Sequence, residues 1–198
     1  MANETTQHDM THLYAASLDV PRIATYDILN NTVAQLGGSV FARGRCFNRT
    51  AAFVLASKRF PHYVFSASWP GPYACGMSSY TNMAGGLMDM AQSWSYGPSS
   101  GIRGLAFGWG YGQTLYAADT AADAIWTHSF GFYGETYFEG RYPLPSGSRP
   151  RHVVTHPYGK YLYASLDGLG VVQAYVLDPY KQTVMRNESR YSLIPQGG

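Results

Sequence analysis

The clearest folding unit of the sequence is HVVTHPYGKYLYASLDGLGVVQAYVLDP, residues 152–179. Residues 152–156 combine β-branched and polar side chains, which is typical of a half-buried strand, and residues 157–160 are a turn. A second strand is predicted at Tyr161–Leu166. Gly168 and Gly170 then turn the chain into a third strand at Val171–Leu177. Three short strands joined by tight turns predict an antiparallel β-meander.

Four segments of the chain share the pattern of the second strand. They read HLYAAS (12–17), FVLAS (53–57), TLYAA (114–118) and YLYAS (161–165). The unit before the quoted one has the same plan, with strands predicted at 104–109, 114–118 and 123–129. Copies recur at roughly 40 to 60 residues, which is the spacing of propeller blades. The sequence therefore predicts an all-β protein with about four antiparallel propeller blades and little helix.

Other parts of the chain show weaker patterns. Residues 81–94 hold enough Met, Ala and Leu for a short helix, but Gly85 and Gly86 interrupt it. Residues 69–101 are rich in Pro, Gly and Ser and are interpreted as long blade connections. Residues 1–9 match no blade pattern and are predicted to be a disordered tail. We expect one partial propeller domain over residues 10–198.

Composition and charge exclude several functions. Aromatic residues make up 15% and charged residues only 13% of the 198 residues, which is typical of a globular β protein. The net charge of +2 comes from scattered basic residues, so no nucleic-acid partner is expected. No signal peptide or membrane span is visible, so no membrane partner and a cytoplasmic location are expected. Cys46 and Cys75 lack a short pairing motif and are predicted to be free thiols in a reducing compartment.

Two Arg–Asp pairs have the same spacing. Arg103 stands sixteen residues before Asp119, and Arg151 stands sixteen residues before Asp167. In an antiparallel hairpin the start of one strand lies beside the end of the next, so each pair is predicted to meet at the same rim. One interpretation is a structural salt bridge repeated with the blade. The other is an anion-binding site, because guanidinium groups hold carboxylates through fixed, bidentate donors.

Histidine and nucleotide-binding motifs add little to this picture. We predict that four residues bind the substrate: Arg103, Arg151, Asp119 and His152. His152 and His156 lie on a predicted strand, not on the helix where a four-residue spacing pairs zinc ligands, so no metal is expected. No nucleophile elbow, phosphate-binding loop or dinucleotide-binding glycine pattern is present.

Several motifs resemble one enzyme family. PRHVVTHPYGKYLYA (150–164) resembles the blade signature of the seven-bladed lactonase family. IRGLAF (102–107), LYAAD (115–119), AIWTH (124–128), AAFVLAS (51–57) and SLIP (192–195) resemble its 3-carboxy-cis,cis-muconate cyclase (lactonizing enzyme) branch. The similarity runs from about residue 10 to the end and is strongest over 102–178.

The resemblance implies a cofactor-independent isomerase of aromatic catabolism that closes a lactone from a polycarboxylate diene. Arg151 matches an active-site arginine of the family, and Asp167 stands where the cyclase has a glutamate. Arg103 stands where the cyclase has a histidine. Arginine can bind an anion but stays charged, so it is a poor general acid. Arg151, Asp167 and Arg103 are therefore the catalytic candidates, and very weak cyclisation is expected.

The chain is shorter than the family it resembles. The family's propeller is about twice as long, so we expect a fragment or a truncated gene model. Open strand edges favour pairing with a second copy, so a homo-oligomer is also expected. A lactonase-type hydrolase and a non-catalytic propeller that binds or scaffolds are the alternative functions. The expected partner is a small polycarboxylate or a lactone.

Overall fold

The computed structural model describes residues 4–6, 12–30, 33–57, 62–69, 73–109 and 113–193. Within these ranges the secondary structure consists of β-strands and one 3₁₀ turn, Gly44–Cys46, with no α-helix. Accordingly, no helix in the described ranges is long and apolar enough to cross a bilayer. The strands are β1 (Glu4–Thr6), β2 (His12–Ala16), β3 (Arg22–Asn30), β4 (Val33–Phe41), β5 (Ala51–Ala56), β6 (Tyr63–Ser68), β7 (Tyr73–Thr81), β8 (Leu87–Pro98), β9 (Ile102–Phe107), β10 (Thr114–Asp119), β11 (Ala124–Phe130), β12 (Thr136–Pro143), β13 (Pro150–Thr155), β14 (Tyr161–Leu166), β15 (Val171–Leu177) and β16 (Val184–Ser192).

The strands form four sheets of four, each built from strands consecutive in the chain and paired antiparallel. This is the blade repeat of a β-propeller, so the predicted all-β class and the number of blades are confirmed. The chain divides into two compact units. The first comprises Met1–Pro98 and Gly131–Thr136, and the second comprises Ser99–Phe130 and Tyr137–Gly198.

The first unit contains the sheets β1–β4 and β5–β8. Its core includes the fully buried side chains of Tyr14, Ile23, Val54 and Val64. The Tyr14 hydroxyl donates a 2.5 Å hydrogen bond to the Gly85 carbonyl, which holds the turn before β8 against β2.

The second unit contains the sheets β9–β12 and β13–β16. Its core includes Tyr116 and Ile125 from one sheet and Leu162, Leu166 and Tyr175 from the other. Alternation along β14 and β15 directs every second side chain into this core, as period-two patterning requires. The strands predicted at Tyr161–Leu166 and Val171–Leu177 are confirmed residue for residue.

The interpretation of residues 69–101 as blade connections is wrong. Two strands, β7 and β8, cover most of the segment. The signal was weak because the buried positions of β7 are small or polar, including Ala74, Ser78 and Ser79, each at most 1% exposed. Small side chains pack where backbones come close, and they leave no hydrophobic alternation to read.

The prediction of free thiols is also wrong, because Cys46 and Cys75 form a disulfide with an S–S distance of 2.07 Å. The 3₁₀ turn that carries Cys46 lies against β7, which carries Cys75, and both residues are buried. The pairing joins positions 29 residues apart, which no local motif reveals.

Part of the predicted N-terminal tail is ordered. Glu4–Thr6 form β1, which pairs with β2 across Glu4–Ala15 and Thr6–Leu13. Backbone hydrogen bonds alone support such a strand, so no hydrophobic run is needed. The rest of residues 1–9 lie outside the described ranges.

Candidate functional site

Arg151 and Asp167 meet as the spacing predicted. Arg151 Nη1 donates to Asp167 Oδ2 over 3.3 Å. Arg151 lies at an irregularity of β13, between the pairs Pro150–Leu166 and His152–Ser165, and Asp167 directly follows β14. The side chains are 48% and 43% exposed, so the pair is open to a ligand.

Arg103 lies on β9, next to β13 in the same unit. The two strands approach so closely that a Cβ on Gly104 would stand 2.5 Å from the carbonyl oxygen of Arg151. The pKa of Arg103 is lowered, first by burial and then by the positive charge of Arg151, while Asp167 raises it and Arg149 lowers it further. Arg103 therefore interacts electrostatically with two cations, Arg149 and Arg151, and with one anion, Asp167.

Arg149 is a member of this cluster that sequence reasoning missed. It stands two residues before Arg151, in an RPR stretch, and its backbone adopts a positive φ of 49°. Its backbone N–H donates to Asp123 Oδ1 over 2.6 Å, which fixes the turn that presents it. The sequence signal that could have identified Arg149 is the Arg149-Pro150-Arg151 stretch. The equivalent stretch of the preceding blade, Gly101-Ile102-Arg103, has no second arginine. We call Arg103, Arg149, Arg151 and Asp167 the arginine cluster.

Asp119 has a different environment from Asp167. It is fully buried and accepts hydrogen bonds from the backbone N–H groups of Gly101 (2.8 Å) and Ala122 (3.0 Å) and from Trp126 Nε1 (2.9 Å). Directly across the sheet it pairs with Ile102 instead of Arg103. The predicted equivalence of the two Arg–Asp pairs is therefore wrong.

The reason is a one-residue difference between the hairpins. The connection from β9 to β10 has six residues (108–113), and that from β13 to β14 has five (156–160). When the two hairpins are superposed by their pairing, Asp119, the last residue of β10, therefore matches the buried Leu166, the last residue of β14. Asp167 comes one residue after the end of β14. A shift of one residue moves a side chain to the other face of a strand, so equal spacing produced unequal surroundings.

The two histidines of β13 and its turn have separate environments. His152 follows Arg151, is exposed, and has its backbone N–H bound to Ser165 Oγ over 3.1 Å. Its substrate-binding role stays a prediction. The His156 ring lies among tyrosine rings, with centroids 5.4 Å from Tyr158 and 6.1 Å from Tyr161, as a packed residue does.

The arrangement is suited to binding anions. Guanidinium groups stay protonated under all ordinary conditions and present planar donors that match carboxylate oxygens. Asp167 is the cluster's carboxylate, and it can accept a hydrogen bond or exchange a proton.

Comparisons with known proteins agree with the sheet topology. No family model matches the chain. The carboxy-cis,cis-muconate cyclase of Neurospora crassa is 28% identical over 98% of this chain and 54% of its own length. The periplasmic gluconolactonase of Pseudomonas aeruginosa superposes with a TM-score of 0.82 at 20% identity, covering 100% of this chain and 58% of that one. The fold is an incomplete lactonase-type β-propeller.

A candidate 6-phosphogluconolactonase from Bacteroides fragilis has the same fold, with a TM-score of 0.77 at 13% identity over 96% of this chain and 56% of that one. The chain thus spans about half the length of the relatives that it matches. The predicted resemblance to the muconate-cyclase and lactonase propellers is confirmed.

Proposed function

We propose that this protein is a lactonase-family enzyme of the carboxy-muconate cyclase type, an isomerase that closes a lactone within a polycarboxylate diene without a cofactor. The observation that carries the proposal is the arginine cluster, in which Arg151 is ion-paired with Asp167 and the charges of Arg149, Arg151 and Asp167 all act on Arg103. Similarity to a cyclase along 98% of the chain supports this reaction over others that bind anions.

The residues divide the chemistry between binding and proton transfer. Arg103 and Arg151 hold substrate carboxylates, and the attacking carboxylate oxygen forms a C–O bond to the diene. The π electrons move to the neighbouring carbon, which takes up a proton. Asp167, ion-paired with Arg151, is the group of the cluster that can pass this proton on from solvent, since arginine cannot. It is shorter than the glutamate of the resembled cyclase and replaces no titrating histidine, so this transfer is expected to be slow.

Two other functions have support from particular observations. Hydrolysis of a lactone is supported by the solved gluconolactonase with the same fold. Non-catalytic binding is supported by Arg103, which stands where the resemblance places a histidine able to donate a proton near neutral pH. Both alternatives use the same anion-binding arginines.

The remaining expectations are part of the proposal. The partner is a small polycarboxylate or lactone, with no nucleic-acid or membrane partner, and the protein assembles as a homo-oligomer in the cytoplasm. The argument from free thiols for that compartment no longer applies, because Cys46 and Cys75 are bonded.

Binding and turnover are tested separately. Tricarballylate, a tricarboxylate that cannot cyclise, is titrated calorimetrically into the chain and into Arg151→Gln. We expect the substitution to weaken binding about tenfold or more, because a charge-assisted hydrogen bond contributes about 1.5–3 kcal/mol. Arg43→Gln is the matched control, since Arg43 forms an exposed ion pair with Asp89 in the first unit. Equal binding by Arg151→Gln and the unaltered chain would contradict the assigned site.

Turnover is followed by the ultraviolet absorbance of 3-carboxy-cis,cis-muconate. The unaltered chain is expected to show no or very weak cyclisation, because loss of a positioned general acid typically costs about 10²–10⁴-fold. Arg103→His and a completed reading frame are assayed beside it. Turnover at an ordinary enzymatic rate by the unaltered chain would refute the expectation. Activity gained by the completed frame while it retains Arg103 would refute the histidine argument.

A further inference from the structure

The second unit contains a cavity of about 150 Å³ whose lining includes no residue of the arginine cluster. It lies between the end of β12 with its following loop and the outer strands β15 and β16 of the next sheet. Its wall is mixed: six of the lining residues are apolar or aromatic, and three polar side chains stand along β15 and β16. The lining residues are Tyr142, Pro143, Leu144, Pro145, Leu166, Tyr175, Gln173, Asn187 and Arg190.

Gln173 is the unusual residue of this wall. Its side chain is only 3% exposed, on the strand face where Val171 and Tyr175 enter the core. Its Nε2 donates to the carbonyl oxygens of Ala174 (3.0 Å) and Ser189 (2.8 Å). Its Oε1 accepts a hydrogen bond from Arg190 Nε over 3.3 Å. Burying an amide is costly unless its N–H groups and its oxygen form hydrogen bonds. The Gln173 amide forms them all, and the bond to its oxygen holds the Arg190 side chain in place.

A β-bulge creates this arrangement. Gln173 pairs with Arg190 and Tyr175 pairs with Asn187, so β16 has one residue more than β15 between the pairs. The displaced Ser189 carbonyl is the group that Gln173 binds. Bulges re-aim side chains and are common beside functional sites.

Arg190 is held through Nε, which leaves both terminal nitrogens to bind elsewhere. Among the residues that the structure describes, it forms no ion pair. Burial and the neighbouring Tyr142 raise the pKa of Tyr175, and the positive charge of Arg190, on the strand that pairs with β15, lowers it in part.

Two tyrosines form the aromatic part of the wall. The rings of Tyr142 and Tyr175 meet edge to face, with centroids 5.6 Å apart and planes at 69°. Tyr175 is 2% exposed, so its position is set by the core. A rigid aromatic wall suits a flat apolar ligand.

We propose that this cavity binds a small aromatic monocarboxylate, with its ring against Tyr142, which the buried Tyr175 supports, and its carboxylate on Arg190. An engineered apolar cavity of about 150 Å³ admits one benzene ring, so the volume fits one ring. The unengaged edge of the guanidinium forms the bidentate pair that a carboxylate accepts. The site is independent of the arginine cluster and of the proposed lactone chemistry.

The test uses benzoate as the probe, titrated into the chain and followed by nuclear magnetic resonance shifts of backbone amides. We expect saturable binding with shifts centred on residues 142–145, 173–175 and 187–190. Benzamide, which has the same shape without the charge, should bind at least about tenfold more weakly, since one charge-assisted hydrogen bond is worth that much. Shifts that do not saturate would overturn the proposal.

Variants separate this site from the arginine cluster. Arg190→Gln should weaken benzoate binding about tenfold or more, and Arg190→Lys should weaken it less. Arg186→Gln, on the same strand and in an exposed ion pair with Glu188, should leave it unchanged. Backbone spectra show whether each variant keeps its fold. Benzoate binding that survives Arg190→Gln but is lost in Arg151→Gln would overturn the proposal and assign the anion to the cluster.

Discussion

Two aspartates of the second unit, Asp119 and Asp167, lie at the same chain distance from an arginine. Asp119 is fully buried among three N–H donors, whereas Asp167 is partly exposed and is ion-paired with Arg151. Removing a buried acceptor leaves its donors unsatisfied, which costs far more than removing an exposed ion pair. The two residues therefore differ in environment: one is buried and hydrogen-bonded, and the other is accessible to solvent.

The first prediction compares the aspartates directly. Asp119→Ala should lower the free energy of unfolding by about 3 kcal/mol or more, because it orphans three donors. Asp167→Ala should change it by less than about 1 kcal/mol. Denaturant unfolding of the two variants measures both values. A smaller loss for Asp119→Ala than for Asp167→Ala would show that the hairpin register described here is wrong.

The second prediction concerns His128, which is 3% exposed and stacks on Trp126. Burial lowers its pKa from 6.5 to about 4. The unfolded chain therefore binds a proton below pH 6.5 that the folded chain takes up only near pH 4, so stability is lost as the pH falls between these values. At pH 5 this one group costs about 2 kcal/mol relative to pH 8.

The measurement is denaturant unfolding of the wild type and His128→Leu at pH 8 and pH 5. The variant should lose less stability on acidification, by about that 2 kcal/mol. Equal acid sensitivity of the two proteins would mean that His128 titrates normally in the folded chain.

At the scale of elements, the positions of the arginines depend on how closely β9 and β13 approach. Gly104 faces the backbone of Arg151, and a side chain at this position would collide with it. Backbone cannot swing aside as a flexible side chain can, so the glycine is required by the close approach. The distance between Arg103 and Arg151 is thus set by a residue that carries no charge.

The third prediction is that Gly104→Ala destabilises the protein by about 1–3 kcal/mol and weakens tricarballylate binding, since overpacking shifts the strands. Gly140→Ala on β12 is the control, because its nearest neighbour to an added Cβ is Thr183 Cγ2 at 3.7 Å, an ordinary contact. Thermal unfolding and calorimetry check both variants. A Gly104→Ala protein as stable as Gly140→Ala would contradict the close approach.

On the scale of the whole molecule, the two units are stabilised differently. The first unit has the buried disulfide Cys46–Cys75 beside its core, whereas the described part of the second contains no cysteine. The second depends on its side-chain core and on hydrogen bonds such as that from Thr120 Oγ1 to the Pro150 carbonyl. Reduction should therefore act on one unit only.

The fourth prediction is that Cys46→Ala/Cys75→Ala lowers the stability of the first unit by about 3–4 kcal/mol, the loop-closure value for a separation of 29 residues. Hydrogen exchange should show lost protection in β5–β8 and unchanged protection in β13–β16. A reducing agent should reproduce this in the wild type and change nothing further in the variant. Two thiols that react with Ellman's reagent in the native, unreduced chain would refute the disulfide.

The sequence by itself determined the all-β class, the blade repeat, strands β14 and β15 and the meeting of Arg151 with Asp167. Each of these depends on alternation and turn residues within one hairpin, where neighbours in space are also near in sequence. The strongly patterned middle strands of a blade could be predicted for that reason. The outer strands β12 and β16 could not be predicted, because most of their residues are exposed and show no hydrophobic alternation. They form strands because they pair with the neighbouring strand of the blade.

Only the tertiary structure decided the roles of Asp119, Arg149, Gln173 and the two cysteines. Asp119 was misassigned because one extra residue in a connection changed its face, although its distance from Arg103 along the chain was unchanged. Arg149 joins the cluster through a turn, Gln173 holds Arg190 through a bulge, and Cys46 reaches Cys75 across 29 residues. In each case the deciding contact joins residues on separate strands or turns. The distance between such residues depends on how the strands pack in three dimensions, and the pattern of residues along the chain does not determine it.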